Sequence, residues 1–351
     1  MNKFLLLLLL IIIPCLLLFT GILIKEAGGP YYLNYYDPGY VYLVNSINVL
    51  QLSTVGHFDH PGTSVQIFGA VILKFLFITR TIDHDTLKEI FSDPEYFLTI
   101  LNTSMVVINC IALFLLGLLT FKLTKNIYLS LLLQLSPFVS FEIFYGLVIF
   151  SPENFLILSC IGVMVLLIFY IYNEKVEKNL TFALVFGFIC GFGVVSKMNF
   201  LPIFLIPLII IRGWKYKLIF LVSSLVVFLV ILLPVLPDYT SFFTWVKNLV
   251  INTGIHGKSG GSDLKVISYF NNIVTIFSKD LIMFIIYLIM VISLFLSYRI
   301  KNKEEDEFSA IIKKNRLVLF SIIAAVSFQV LIVAKNYLIY VQYYVIPSLM
   351  L

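Results

Sequence analysis

The chain has 351 residues, of which 60% are hydrophobic and only 12% are charged, with a formal net charge of +5 and a mean hydropathy of +1.03. A globular domain in water carries about 25% charged residues, so this composition excludes an ordinary soluble enzyme and indicates a polytopic helical membrane protein. In such a chain the small positive charge reflects membrane topology and gives no reason to expect a nucleic-acid partner.

The first hydrophobic segment, 4–24, is predicted to be an uncleaved membrane span. Its apolar run exceeds the core of a signal peptide, and no small-residue cleavage site follows Gly21. Similar runs recur to the end of the chain, so we predict an all-α membrane protein with about ten spans of about 20 residues each. The predicted spans are 4–24, 97–120, 127–147, 154–172, 180–196, 199–212, 217–236, 281–299, 316–334 and one that begins near 339.

Basic residues in the short loops predict the orientation. With the N-terminus in the cytoplasm, the inner loops hold most Lys and Arg, whereas the short outer loops hold only Lys197 and Lys335. A single transmembrane domain, 1–351, then has two large extracytoplasmic segments, 25–96 and 237–280. We predict a multi-pass protein of the cell membrane (the inner membrane where there are two) with its functional groups on the extracytoplasmic side.

Two amphipathic stretches of the first extracytoplasmic segment are predicted to be helices that lie at the membrane interface. They are 37–52 and 62–79, and both have apolar positions at helical spacing. A membrane span over 62–79 would invert the rest of the chain and move its strongest basic clusters outside, so we assign this stretch to the interface.

The four cysteines all fall within predicted spans, where a free thiol behaves as a small apolar group. We therefore expect them to pack in the interior and to form neither disulfides nor a metal site. They are Cys15, Cys110, Cys160 and Cys190.

A polar island at 31–63 carries the first candidate site residues, Asp37, His57, Asp59 and His60. Ionisable groups at the mouth of a membrane protein are costly, which favours a function for them. Asp37 precedes Pro and Gly, and this is also an ordinary turn sequence. The two histidines and Asp59 offer ligands for a divalent metal, although hydrogen bonding to a phosphate or within the loop is the favoured role.

Two further candidates lie in short extracytoplasmic turns between spans. Glu153 follows Ser and Pro, so it is either a site residue or simply the acidic first turn of a helix. Lys197 ends a glycine-rich span, and a lone lysine there is suited to bind a phosphate, or else it reaches to the membrane interface. The orientation predicted above brings Glu153 and Lys197 to the same membrane face as the polar island.

The order of these motifs resembles the GT-C superfamily of membrane glycosyltransferases, above all the branch of protein O-mannosyltransferases and lipid A aminoarabinose transferases. Asp37 stands where that branch has an early acidic motif, and His60 with the proline after it stands where a basic residue and prolines introduce an interfacial helix. Glu153 is similar to the second acidic residue, and Lys197 to the lysine that ends a glycine-rich span. The likeness extends over essentially the whole chain.

The chain also departs from that pattern. Pro38 replaces the usual second acid, and the Tyr343–Pro347 segment is similar to a family motif but lacks its arginine. Family members continue through several more spans, whereas this sequence ends at Leu351 within its last predicted span. We therefore expect a truncated or reduced member.

The resemblance implies transfer of a sugar from a polyprenyl-phosphate donor to an extracytoplasmic lipid, glycan or protein acceptor, with inversion at the anomeric carbon. It implies that Asp37 is the general base and that Glu153 orients donor or acceptor. Lys197 would neutralise the departing phosphate with help from His60 or a metal. The sugar, the acceptor and the need for a metal stay open, as do protein partners other than the membrane lipids.

Two other classes of function share some of these features. A transporter or a flippase for lipid-linked glycans also places charged groups near membrane cavities, but it would more often show internal symmetry, which this sequence lacks. A noncatalytic assembly subunit of the cell envelope would tolerate the loss of Asp37 or Lys197.

Overall fold

A computed structural model describes residues 3–32, 39–57, 62–78, 84–173, 176–251, 266–299 and 307–336. Within these ranges the chain is helical and has no strand, which confirms the predicted all-α class. The α-helices are α1 (Lys3–Gly28), α2 (Gly39–Leu50), α3 (Thr63–Leu76), α4 (His84–Ser92), α5 (Pro94–Thr124), α6 (Ile127–Gln134), α7 (Phe141–Leu147), α8 (Glu153–Tyr172), α9 (Leu180–Ser196), α10 (Leu205–Ile210), α11 (Trp214–Ile231), α12 (Tyr239–Ile251), α13 (Val266–Lys279), α14 (Leu281–Arg299) and α15 (Glu307–Asn336). Short 3₁₀ helices cover Ser136–Phe138, Val176–Lys178, Met198–Phe204 and Leu233–Asp238.

Six helices in the described ranges are long and apolar enough to cross a membrane, which supports the predicted membrane-protein class. They are Lys3–Gly28, Pro94–Thr124, Glu153–Tyr172, Trp214–Ile231, Leu281–Tyr298 and Ile312–Lys335. Each coincides with a predicted span. The count of about ten spans of bilayer length stays a prediction, and the span predicted from residue 339 lies outside the described residues.

Two predicted spans are divided into shorter pieces. Segment 127–147 consists of α6, a 3₁₀ turn that contains Pro137, and α7. Segment 199–212 begins as the 3₁₀ helix that contains Pro202 and continues as α10. Proline has no backbone N–H and clashes with the preceding turn, which interrupts a regular α-helix.

Helix α8 lies at the centre of the bundle. In its most apolar window 67% of the residues are buried, against 11% in α11 and 6% in α14. It packs against α5, α9 and α15, and its side chains form much of the main hydrophobic core.

Three of the four cysteines pack in the interior as predicted. Cys110, Cys160 and Cys190 are buried in the main core, where they pack as small apolar groups. Cys15 differs, because it is exposed on the surface of α1.

Helices α9 and α11 approach each other closely at two glycines. A Cβ atom on Gly187 would lie 2.7 Å from the carbonyl oxygen of Phe220, and one on Gly191 would lie 2.4 Å from that of Ser224. Glycines four residues apart let two helix backbones come together, as in paired membrane helices. This contact fixes α9, whose last residue precedes Lys197.

Helices α2 and α3 form a small unit on the N-terminal part of α5. They pack against each other, and Gly69 of α3 leaves room for the Ser46 side chain of α2. Their apolar faces share a second hydrophobic core with α5 that includes Tyr42, Val65 and Leu101. The predicted helices at 37–52 and 62–79 are thus present with slightly shorter bounds, whereas their place at a membrane interface stays a prediction.

Candidate functional site

Glu153 is the first residue of α8, at the end of a tightly held turn. The next residue, Asn154, anchors that turn: its Nδ2 donates hydrogen bonds to the carbonyl oxygens of Gly146 (3.0 Å) and Ile149 (2.7 Å). Asn109 of α5 in turn donates to the Asn154 carbonyl oxygen at 3.1 Å. The backbone at Glu153 is therefore fixed from two sides, and the acid is both the helix start and a buried group.

Lys197 lies where α9 ends and the following 3₁₀ helix begins. Its backbone is extended, its N–H donates to the Gly193 carbonyl oxygen at 3.0 Å, and its own carbonyl oxygen accepts from Phe200 N–H at 3.0 Å. These bonds turn the chain sharply and send the side chain into the protein, where only 2% of it is exposed. Lys197 thus does not extend outward to a membrane interface.

The two residues meet directly: Lys197 Nζ donates a hydrogen bond to Glu153 Oε1 in a salt bridge, which we call the buried pair. Glu153 is fully buried. Its second oxygen, Oε2, is also buried and has no hydrogen-bond partner among the described residues. A buried ion pair costs several kcal/mol of desolvation, roughly repaid only when the remaining lone pairs are bonded. The free oxygen of Glu153 therefore leaves this pair incompletely compensated.

The N-terminus of α3 lies beside both members of the buried pair. Gly62, which has a left-handed φ of 70°, donates its N–H to the Ser196 carbonyl oxygen at 3.3 Å. A Cβ atom on Gly62 would stand 3.7 Å from Pro152 Cγ, so this glycine touches the residues just before Glu153 and Lys197. Ser64 Oγ also donates to Ser196 Oγ at 2.8 Å. Gly62, near the end of the predicted polar island, therefore lies beside the buried pair.

His57 is held in place by residues of α2 and α3. Its backbone carbonyl oxygen accepts a hydrogen bond from Gln66 Nε2 at 2.6 Å, and its ring makes an edge contact with Tyr42 at 5.4 Å. Gly56 N–H donates to Asn45 Oδ1 at 2.8 Å. His57 and Gly62 thus flank residues 58–61 at fixed positions. Asp59 and His60, two of the predicted site residues, lie outside the described residues.

A possible divalent-metal site was expected from His57, Asp59 and His60, and only His57 belongs to the described part of the chain. Among the described residues, no group of three His, Cys, Asp or Glu side chains converges in a way that could hold a metal ion. The metal therefore stays an open expectation for this loop.

Asp37, the predicted general base, also lies outside the described residues. Residues on both sides of its segment 33–38, however, donate hydrogen bonds to one carboxylate. Glu95 accepts hydrogen bonds from Tyr31 N–H at 3.0 and 3.1 Å through its two oxygens, and from the Tyr40 hydroxyl. Burial and the hydrogen bond to Glu95 raise the pKa of Tyr40, so its hydroxyl stays a donor. Glu95 therefore joins the residues on the two sides of segment 33–38.

Little in the sequence around Glu95 indicates this role. It follows Asp93 and Pro94, and Asp93 caps α5 by accepting a hydrogen bond from Tyr96 N–H at 3.1 Å. An acid two residues after a capping aspartate is ordinary for the first turn of a helix. Only the tertiary contact with Tyr31, 64 residues away, distinguishes Glu95 from a helix-start acid.

Comparisons with known proteins gave no match, neither to a protein-family model nor to a curated protein nor to a solved structure.

Proposed function

We propose that the chain is a membrane glycosyltransferase that moves a sugar from a polyprenyl-phosphate donor to a hydroxyl-bearing acceptor at the α3 end of the bundle. One observation carries this proposal: Lys197 and Glu153 are buried together, yet Glu153 Oε2 has no partner among the described residues. A buried ion pair repays its desolvation best when its remaining lone pairs are bonded, so this spare buried oxygen is suited to accept a hydrogen bond from a substrate hydroxyl.

In the proposed reaction, the acceptor oxygen attacks the anomeric carbon of the donor sugar. Asp37 takes the proton of the attacking hydroxyl, and the bond between the anomeric carbon and the phosphate oxygen breaks with its electron pair going to the phosphate. Lys197 stabilises the negative charge that develops on the leaving phosphate. Glu153 holds the Lys197 ammonium group with one oxygen and orients a substrate hydroxyl with the other.

The position of the buried pair supports these roles, because it brings a phosphate-binding cation and a hydroxyl acceptor into contact. Both side chains are fixed by the backbone that carries them: Glu153 by the Asn154 anchor and Lys197 by the turn after α9. Such preorganisation lowers the cost of stabilising charge in a transition state. In this proposal His57, Asp59 and His60 would contact the substrate, as the sequence predicts.

One observation favours a second function, a transporter or flippase for a lipid-linked glycan. The helix that follows Lys197 starts as a 3₁₀ helix before it becomes α10, and segment 127–147 is likewise interrupted. Interrupted helices beside a charged group are typical of transporter binding sites. Against it, Glu153 and Lys197 stand at the ends of their helices, whereas a transporter site lies near the middle of the membrane.

Complementation of a deletion strain of the source organism tests the two functions. We expect Asp37→Asn and Lys197→Ala each to reduce the transferred sugar on envelope glycans by at least about 100-fold. The matched controls, Asp85→Asn and Lys215→Ala, change exposed residues away from the site and should restore the glycans fully.

The pool of polyprenyl-phosphate sugar separates the outcomes. In a transferase-deficient strain the lipid-linked sugar accumulates on the extracytoplasmic face, where a membrane-impermeant periodate reagent oxidises it. In a flippase-deficient strain it accumulates on the cytoplasmic face, where the reagent does not reach it. Full restoration by Asp37→Asn, with equal amounts of protein in the membrane, would contradict the proposed chemistry.

A further inference from the structure

A cavity lies at the opposite end of the bundle from the buried pair. It has a volume of about 550 Å³ and is bordered by the ends of α8 and α14, the start of α15, and residues near Arg212. Tyr170 of α8 lines it, and this residue lies about 25 Å along the helix from Glu153. The cavity is therefore separate from the proposed active site.

The charge of this cavity is strongly unbalanced. Four cationic side chains line it, and Glu177 is the one acid among the described residues that do so; we call it the basic cavity. Its cations are Arg212, Lys313, Lys314 and Arg316. The distance between Arg212 Nη1 and Glu177 Oε1 is 3.9 Å, and 52% of the Arg212 side chain is exposed. Among the described lining residues one acid therefore faces four cations, a balance that favours the binding of an anion.

Aromatic rings and a backbone carbonyl hold two of these cations at the cavity. Lys314 Nζ donates to the Asn173 carbonyl oxygen at 2.5 Å and stands 5.4 Å from the centre of the Tyr170 ring. The Arg316 guanidinium group lies 5.5 Å from the centre of the Tyr298 ring. A neutral partner orients a cation without cancelling its charge, so Lys314 keeps charge available for a ligand.

The wall of the basic cavity continues onto apolar surface. Leu317 and Phe320 of α15 also line it, and 46% of the Phe320 side chain is exposed on a helix long and apolar enough to cross a membrane. A ligand that fills this space meets cations at one end and hydrocarbon at the other. A soluble anion would use only the first of these surfaces.

We propose that the basic cavity binds the phosphate headgroup of an anionic lipid, with its acyl chains along Leu317 and Phe320. Basic pockets between membrane helices are suited to lipid phosphates, which they bind by charge and by hydrogen bonds from Arg and Lys. Arg212 and Lys313, the two exposed cations, would contact the phosphate first. This site requires no sugar transfer and does not depend on the proposed function.

Native mass spectrometry of the full-length purified protein tests this proposal. The protein is incubated with equimolar phosphatidylglycerol and phosphatidylcholine of the same chain length, and the lipid retained is counted. We expect phosphatidylglycerol to be preferred. The double variant Arg212→Gln/Lys313→Gln should weaken its retention by about 25-fold, because each basic residue near an anionic headgroup contributes a factor of about five.

The matched control is Lys215→Gln/Lys217→Gln, which removes two cations close to Arg212 in sequence that do not line the basic cavity. This control should retain phosphatidylglycerol as the unaltered protein does, and all three proteins should unfold at the same temperature. Equal retention of both lipids, or equal losses in the two double variants, would overturn the proposal.

A third arm distinguishes the lipid from a free phosphate. Inorganic phosphate at millimolar concentration should leave phosphatidylglycerol retention unchanged, because it makes no contact with the apolar wall. If inorganic phosphate displaces the lipid completely, the ligand is a soluble phosphate and the assignment to a lipid is wrong.

Discussion

The two ends of α8 treat charge in opposite ways. At one end, Lys197 and Glu153 are buried and bonded to each other. At the other end, Arg212 is half exposed. Lys314 contacts an aromatic ring and a backbone carbonyl oxygen, and Arg316 lies over another aromatic ring. A buried pair must be fixed in place to repay its desolvation, whereas exposed cations bind and release an anion at little cost. The first arrangement is suited to chemistry and the second to reversible recognition.

The largest expected effect comes from breaking the buried pair. Lys197→Met leaves the Glu153 carboxylate buried without its partner, and it should lower the free energy of unfolding by about 3–5 kcal/mol. The double variant Lys197→Met/Glu153→Gln removes both charges and should regain most of that stability. Thermal unfolding in detergent measures the stability, and sugar transfer in the complemented strain measures the function.

The double variant decides whether the buried pair serves chemistry or only stability. If the buried pair takes part in the reaction, the double variant is stable and still fails to transfer sugar. Recovery of both stability and transfer would show that the buried pair is structural. The two ends of α8 would then not differ in the way proposed, with catalysis at one end and reversible binding at the other.

A smaller effect is expected at Glu95, which accepts hydrogen bonds from residues on both sides of segment 33–38. Glu95→Gln weakens the hydrogen bonds from Tyr31 and Tyr40 and should lower stability by about 1–3 kcal/mol. If the loop must hold Asp37 in place, transfer should also fall by about 10- to 100-fold. Quantifying the transferred sugar and the unfolding temperature of the same preparations gives both values.

The matched control for Glu95 lies two residues earlier in the chain. Asp93→Ala removes the cap of α5 and should cost about 1 kcal/mol of stability without changing transfer. A loss of transfer in proportion to the loss of stability in both variants would mean that Glu95 does no more than support the fold.

The smallest effect is expected at the basic cavity. Glu177 is the one acid among the described residues that line the basic cavity. Glu177→Gln should therefore strengthen phosphatidylglycerol retention by about fivefold, the contribution of a single charge near a headgroup. Native mass spectrometry measures this, and Glu26→Gln, at an exposed position of α1, is the control. Unchanged or weaker retention would mean that charge does not govern the basic cavity.

Hydrophobic patterning predicted the elements of the fold well. The spans at 4–24, 97–120 and 154–172 correspond to α1, α5 and α8, because an apolar run of bilayer length has few alternatives to a helix. The division of 127–147 at Pro137 was not predicted, since a single proline is often tolerated within a membrane helix.

The site was predicted only in part. The loop charges predict that Glu153 and Lys197 lie at one membrane face. The motifs around them predict separate roles and do not indicate that the two side chains touch. Which side chains meet depends on the packing of α8 against α9, and that in turn depends on contacts such as the one between Gly187 and α11. Glu95 was missed for the same reason, because its partners are distant in sequence.

The spacing of the buried pair has a consequence for biosynthesis. Glu153 and Lys197 are 44 residues apart, so at ordinary rates of translation the acid is made about 2–9 s before the lysine that neutralises it. During that interval α8, the most buried of the spans, carries an uncompensated carboxyl group at its first residue. The nascent chain must therefore keep Glu153 in contact with water or with another polar partner until α9 has been inserted.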